Sequence, residues 1–522
     1  MAIKFSNFIK SFMLCMAVCV SASAQDKDGI KVLTLHQAIN GVLHRNFSIK
    51  ENALEWKRSD HVVKVARGEY EPDFIATYKH NYLERENTSK QIWNYGGRQE
   101  IFETADEYYT GVEGKAFMGG MYRLGVSLEK LRGSYVYENE YTSFAGLSIE
   151  LPLLKGAWAG TTAIDIKLAE HDWEIAFHNF RKEVMVSLLR TEMGYWELVF
   201  SQEQLKIARD SVEIAQKLVD DSKERVKNGK MSQVDLLEAE AGLADRQLYM
   251  ADAQNNLQNA MKQLKLLLSD DSFNDEDIVA SESILAIDND SKEDIEDIEP
   301  VIDDALLAQP DYIIARETLR KERTLVRYYR DQRLPELMLT GSYGANGFAY
   351  TAERALAKLD GQQRPSWSVG LEMRVPLGLG IKEIHELRAA IAKKDKAECL
   401  MMATEHEIEN TIMTLVVNIE KFKERLDHIR TVVEFKRKLL DVELEKMNAG
   451  KSNTRLIYEK EEDFYKVKER QLEIAVEYRT ALLQLAFLRG KTLSIWGLND
   501  LDSGNFSIND LSGLSLISGQ GY

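Results

Sequence analysis

Between Gly380 and Gly450 the chain contains neither proline nor glycine. These are the two residues that interrupt helices: proline lacks an N–H and clashes with the preceding turn, and glycine loses the most backbone entropy on ordering. Nothing in the stretch stops a helix, and at 1.5 Å per residue it predicts a rod of roughly 100 Å. The rod belongs to a pattern that is written twice. Pro72 opens a short alternating segment and Pro152 closes its partner; a proline-free run then leads to Gly229-Lys230 and a second helix. The same order returns with Pro335, Pro376, Gly450-Lys451 and another helix, and all seven prolines lie outside the long runs. Two copies of strand, strand and long helical hairpin suit a tube better than a pocket.

The second rod has a measurable rhythm. Ile408, Ile412, Leu415, Ile419, Phe422, Leu426, Ile429 and Val433 are spaced alternately by four and three, a heptad seam that predicts side-by-side packing. Val432, Phe435, Leu439 and Val442 form a second stripe, offset by one residue. A helix with two adjacent stripes touches two neighbours, as a barrel wall requires. Lys436 and Glu443 fall on seam positions toward the turn and predict looser packing there, which a gate would need.

The short segments change the period to two. Strands are expected at about 73–84, 141–152, 335–345 and 366–376; in the last, Trp367, Val369, Leu371 and Met373 alternate with Ser368, Gly370, Glu372 and Arg374. Residues 84–110, with Gly96-Gly97, read as a polar and aromatic loop. The alternation of Tyr122, Leu124, Val126 and Leu128 reads as a hairpin reaching beyond the sheet body. Pro72 and Pro152 lie 80 positions apart but Pro335 and Pro376 only 41, so the first copy carries an insertion of about 39 residues. The remaining boundaries follow: a first repeat over 25–269 with its hairpin at 160–268, and a second over 300–496 with its hairpin at 381–489. An acidic connector spans 270–299, and a tail spans 497–522.

The first 24 residues read as a signal peptide. Lys4 and Lys10 precede a short apolar core from Phe12 to Val20, and Ala22-Ser23-Ala24 offers a cleavage site before Gln25. Cys19 leaves lipidation open, although Val18 fits poorly before a lipidated cysteine. Beyond it only Cys399 remains, so no intrachain disulfide is expected. No later apolar run reaches 18 residues, so an exported chain of this kind is either soluble or crosses a membrane as strands. A half-buried soluble sheet would show the same alternation. The formal net charge of −17 disfavours nucleic acid. The nine histidines are scattered, and there is no His-Glu-x-x-His, P-loop or Gly-x-Gly-x-x-Gly. No catalytic residue, cofactor or metal is expected.

Four strands cannot close a barrel, and an open edge in hydrocarbon leaves backbone groups unpaired. A membrane reading therefore forces oligomerisation: two copies give about eight strands, and three give about twelve with more room for water.

At this point the chain resembles the TolC family of outer-membrane efflux proteins over nearly everything after residue 24. The resemblance is carried by Leu151-Pro152-Leu153-Leu154-Lys155-Gly156 after a strand and by the paired turns. The first turn reads Glu224-Arg225-Val226-Lys227-Asn228-Gly229-Lys230, followed by Val234-Asp235-Leu236-Leu237-Glu238-Ala239-Glu240. The second reads Leu444-Glu445-Lys446-Met447-Asn448-Ala449-Gly450-Lys451-Ser452. The resemblance implies a mainly α fold with a membrane β-barrel portion: a homotrimer with a twelve-stranded barrel and an α-helical barrel. It implies a passive exit duct in the outer membrane of a Gram-negative bacterium, extending into the periplasm. The implied partners are a periplasmic adaptor and an inner-membrane transporter of an efflux or type I secretion system.

By the same resemblance, Lys227, Asn228, Gly229, Lys230, Asn448, Gly450, Lys451 and Ser452 are candidate adaptor contacts. Asp235, Glu238 and Glu459 are candidate aperture residues. Leu456 stands where a second acidic residue is frequent. Other readings stay open at this stage. Gly229 and Gly450 also suit helix C-caps, and Asp235 suits a helix first turn. A periplasmic coiled-coil scaffold or an adaptor is the alternative for the whole chain.

Overall fold

A computed structural model describes residues 30–116, 118–134, 136, 138–157, 163–229, 231–269, 277–284, 298–360, 364–376, 380–449, 451–498 and 501. The signal peptide, Lys230, Gly450, and most of the connector and tail lie outside the described residues.

Along the chain run β1 (Ile30–Leu33), α1 (Leu35–Arg45), α2 (Phe47–Gly68), β2 (Asp73–Glu86), α3 (Ser89–Asn94), β3 (Glu100–Lys115), β4 (Met121–Gly133) and β5 (Glu140–Pro152). The first long hairpin is α4 (Ile164–Lys227) and α5 (Gln233–Leu268); β6 (Asp277–Ala280), α6 (Glu299–Ala308) and α7 (Pro310–Asp331) follow. Then come β7 (Glu336–Ala349), α8 (Ala352–Ala357), β8 (Pro365–Arg374), the second hairpin α9 (Ile381–Asn448) and α10 (Thr454–Leu488), and α11 (Thr492–Ile495). Two compact bodies result, each drawing on both halves of the sequence. One takes Met1–Glu51, Arg181–Gln309 and Ile408–Tyr522; the other takes Asn52–Phe180 and Pro310–Glu407.

The second body carries an antiparallel sheet in the order β2-β3-β4-β5-β7-β8. Six strands, not four, correct the sequence expectation. The insertion is a hairpin set into the ladder: β3 runs along the whole of β2, and its residues 100–110 were expected as loop. Residues 121–133 belong to the sheet body rather than to a projection from it.

Cross-strand partners share a face, so the register sorts the side chains. Phe74, Val112, Leu124, Leu147, Tyr343 and Trp367 make one rung, one residue from each strand. All six are exposed in the single chain. The neighbouring rung, on the opposite face, reads Asp73, Glu113, Arg123, Ser148, Ser342 and Ser368. Beyond it on that polar face lie Ile75, Gly111, Gly125, Gly146, Gly344 and Ser366. Glycine is required there by close approach. A methyl group added to Gly125 would sit 2.6 Å from the Thr110 carbonyl oxygen and 2.7 Å from the Tyr109 ring. Tyr109 and Phe144 lie over these glycines.

Beneath the sheet in the same body, Trp56 of α2 is fully buried and stacks on Phe180 of α4 with centroids 5.8 Å apart. Val63, Ala66, Ile166 and Ala169 continue that seam, and Arg67 pairs with Glu170 at 2.8 Å on its rim.

In the first body the heptad seam of α9 is the buried face. Ile408, Ile412, Leu415 and Ile419 are buried, and the spacing continues through Leu440 and Met447. The second stripe, Val432, Phe435, Leu439 and Val442, stays exposed. β1 pairs in parallel with β6, which places a short strand inside the region expected as connector. Among the described residues no helix is long and apolar enough to cross a membrane.

Candidate functional site at the helix turns

The α4–α5 turn is built by capping. The Gly229 N–H donates to the Val226 carbonyl at 3.0 Å, and Gly229 sits at φ +67°, where a side chain is disfavoured. Ser232 opens α5. Its hydroxyl accepts the Asp235 N–H at 3.1 Å, while the Asp235 carboxylate accepts the Ser232 N–H at 3.3 Å and hydroxyl at 3.0 Å. This is a reciprocal capping box, set where a negative charge is favourable. Glu238 lies exposed one turn later.

The second turn uses different groups for the same purpose. The Lys451 N–H donates to the Lys446 carbonyl at 2.8 Å, and Asn453 Oδ1 accepts the Leu456 N–H at 2.9 Å. Glu443 accepts from the Ser452 hydroxyl and, at 3.0 Å, from Lys446 Nζ. These donors hold its carboxyl below the usual range. Lys436 reaches Asp463 of α10 at 2.6 Å. The two polar seam residues thus engage partners beyond their own seam.

The structure brings the two turns together. Arg225 donates to the Met447 carbonyl at 3.5 Å, and Leu218, Met447 and Ile457 bury one another beneath it. Of the candidate residues, Lys227, Asn228, Gly229 and Lys451 are exposed at these turns, and Ser452 is half-buried. Asn448 ends α9. Glu459 is exposed and paired with its neighbour Lys460 at 2.8 Å. Among the described residues Asp235, Glu238 and Glu459 do not gather into one cluster of the kind that could hold a metal.

Sequence reasoning missed the lock behind the turns. The Tyr458 hydroxyl donates to the Ala239 carbonyl at 3.1 Å, and its ring covers Gly242. Arg246 lies over the same ring, 4.4 Å from its centre, and its guanidinium meets Glu461 at 3.3 Å. Glu461 is fully buried and also accepts from the Ser211 hydroxyl at 3.0 Å. Burial pushes its carboxyl up; Arg246 and Ser211 hold it back. Three helices of two hairpins meet at one buried charge. Farther along, Gln204 donates to Glu469 and accepts from Asn256 Nδ2 at 3.3 Å. The chemistry of the site is mechanical: its polar groups fasten helices to one another.

The sequence profile of the family described as outer membrane efflux protein matches residues 38–269 and 301–491. The fold is similar to that of the Campylobacter jejuni CmeC outer membrane channel, with a TM-score of 0.61 at 15% identity, over 90% of this chain and 91% of that one. The open state of the Neisseria gonorrhoeae MtrE outer membrane channel gives 0.61 at 14%, over 87% and 88%. The Vibrio cholerae outer membrane protein VceC gives 0.58 at 14%, over 87% and 96%. No curated protein matches the chain by sequence.

Proposed function

We propose, from the premise that this chain belongs to the outer membrane efflux protein family, that it is the passive exit duct of a tripartite efflux or type I secretion system. It is not an enzyme; the work of transport is done elsewhere, and the duct supplies a water-filled path across the outer membrane and into the periplasm. The observation that carries this reading is the sheet: one face is an apolar rung across every strand, the other is polar, and the outer edges of β2 and β8 have no strand partner among the described residues. In hydrocarbon those edges need partners, and further copies of the same chain supply them. The exposed stripe of Val432, Phe435, Leu439 and Val442 supports the same conclusion for the helices. We read the assembly as a homotrimer.

The turns then form the periplasmic tip. Lys227, Asn228, Gly229, Lys230, Asn448, Gly450, Lys451 and Ser452 meet the adaptor, which in turn contacts the inner-membrane transporter. Asp235, Glu238 and Glu459 line the approach to the aperture. Cell fractionation tests the function: the protein is expected in the outer membrane, extracted only by detergent, with the mass of three chains. A soluble monomer from the periplasm would sink the reading and favour a scaffold.

A further inference from the structure

We propose that the inserted hairpin β3–β4 is part of the transmembrane wall, so that three copies close an eighteen-stranded barrel rather than a twelve-stranded one. The inference rests on the trimeric duct proposed above and concerns what that trimer encloses.

Hydrogen bonding is the first ground. Every residue of β2 from Asp73 to Glu86 is paired with β3, and β5 is paired with β4 on one side and β7 on the other. β2 and β5 therefore do not meet. Taking the hairpin out of the wall would leave one edge of each bare in lipid, where backbone groups find no water.

The faces agree. The apolar rung passes through Val112 and Leu124 of the inserted strands without a break, and Tyr108 and Leu128 extend it upward. The glycine rung on the polar side includes Gly111 and Gly125, so the inserted strands share the close packing of the strands beside them. An accessory hairpin outside the wall would need neither an apolar outer face nor a matched glycine rung.

The stagger also agrees. The rung of Asp73, where β2 begins, meets β8 at Ser368, and β8 runs on to Arg374. The strand ends thus shift by about six residues over five inter-strand steps. At about 3.4 Å per residue and about 4.8 Å per step, this is a tilt of about 40°. Transmembrane barrels tilt their strands by about that much, and the shift is shared by the inserted pair.

At this tilt eighteen strands give a barrel about 35 Å across between backbones, and twelve give about 24 Å. Side chains on the inner face leave a clear width of about 25 Å or about 14 Å. The first admits two helices abreast, the second one. The wider wall fits bulky cargo, such as a polypeptide or a large amphiphile, and removes the membrane section as the limiting aperture.

Electron cryomicroscopy of the full chain in lipid nanodiscs tests this, with the mass of the detergent-extracted assembly measured on the same preparation. Three chains and eighteen strands in a section normal to the axis are the expected result. Three chains with a twelve-stranded wall and β3–β4 outside it would overturn the inference and leave the duct standing. An assembly that is not trimeric would overturn both. A variant in which residues 87–139 are replaced by a two-residue turn joining β2 to β5 gives a second reading: its barrel is expected to narrow by about a third in diameter, and an unchanged diameter refutes the proposal.

Discussion

Replacing Arg246 with methionine isolates the buried charge behind the turns. Methionine keeps much of the aliphatic stem over Tyr458 but removes the guanidinium that meets Glu461 at 3.3 Å. Glu461, fully buried, is then left with the Ser211 hydroxyl as its remaining partner of the two described above. Breaking a buried pair from one side costs about 3–5 kcal/mol. Protonation limits the loss: from an ordinary value of 4.5, neutralising a carboxyl at pH 7 costs at most about 3.4 kcal/mol. The expected local loss at pH 7 is therefore about 3 kcal/mol. The sign with pH follows. A carboxyl whose folded value is raised disfavours folding above that value, and the penalty shrinks as pH falls toward the unfolded value. The defect should thus ease as the pH falls from the raised folded value toward the unfolded one.

Hydrogen exchange on the folded full chain reads this directly. Peptides covering 205–246 and 443–465 are expected to lose protection by roughly a hundredfold at pH 7. The double variant Arg246→Met with Glu461→Met should recover most of it, because an apolar pair of similar volume is often neutral or better. Unchanged protection in the single variant, or a double variant no better than the single, would refute the assignment of this pair as the lock.

Three further outcomes are expected. Gly229→Val should destabilise the first turn by about 1–2 kcal/mol through its left-handed backbone, with Gly229→Asn milder; exchange over residues 224–236 reports it. Gly125→Val should abolish the detergent-resistant oligomer on gels, because its Cβ has no room beside Thr110 and Tyr109, whereas Val369→Ala on the exposed apolar face should not. Glu443 behaves oppositely to Glu461. Its depressed carboxyl stabilises the second turn above the unfolded value, and that contribution is lost as pH falls through the folded value. Protection at residues 444–456, taken against the intrinsic rate at each pH, should fall in acid, and Glu443→Gln should remove that pH dependence.

Much of this architecture is legible in the residues because it depends on periods. The helix α9 runs from Ile381 to Asn448 where neither proline nor glycine interrupts it, and β8 alternates cleanly from Trp367 to Met373. β3 was hidden by its own function. Tyr108 and Tyr109 are adjacent yet face opposite sides, since Tyr109 covers the glycines, and its acidic residues resemble a loop until β2 is laid against them. β6 is four residues long within an acidic stretch, so average composition concealed it. The lock was out of reach for another reason. Ser211, Arg246 and Glu461 come from three helices, and no local pattern links positions 215 and 250 residues apart. Asp235 could be read as a favourable charge in a helix first turn, and the geometry places it there in a capping box with Ser232.

The bare outer borders of β2 and β8 have a consequence for biogenesis. A lone chain, newly exported, exposes two sticky margins and a greasy flank to water at once, although Pro365 blunts one corner. It has no safe solitary life. On the proposed assembly, a chain whose margins stay unpaired is expected to clump rather than insert.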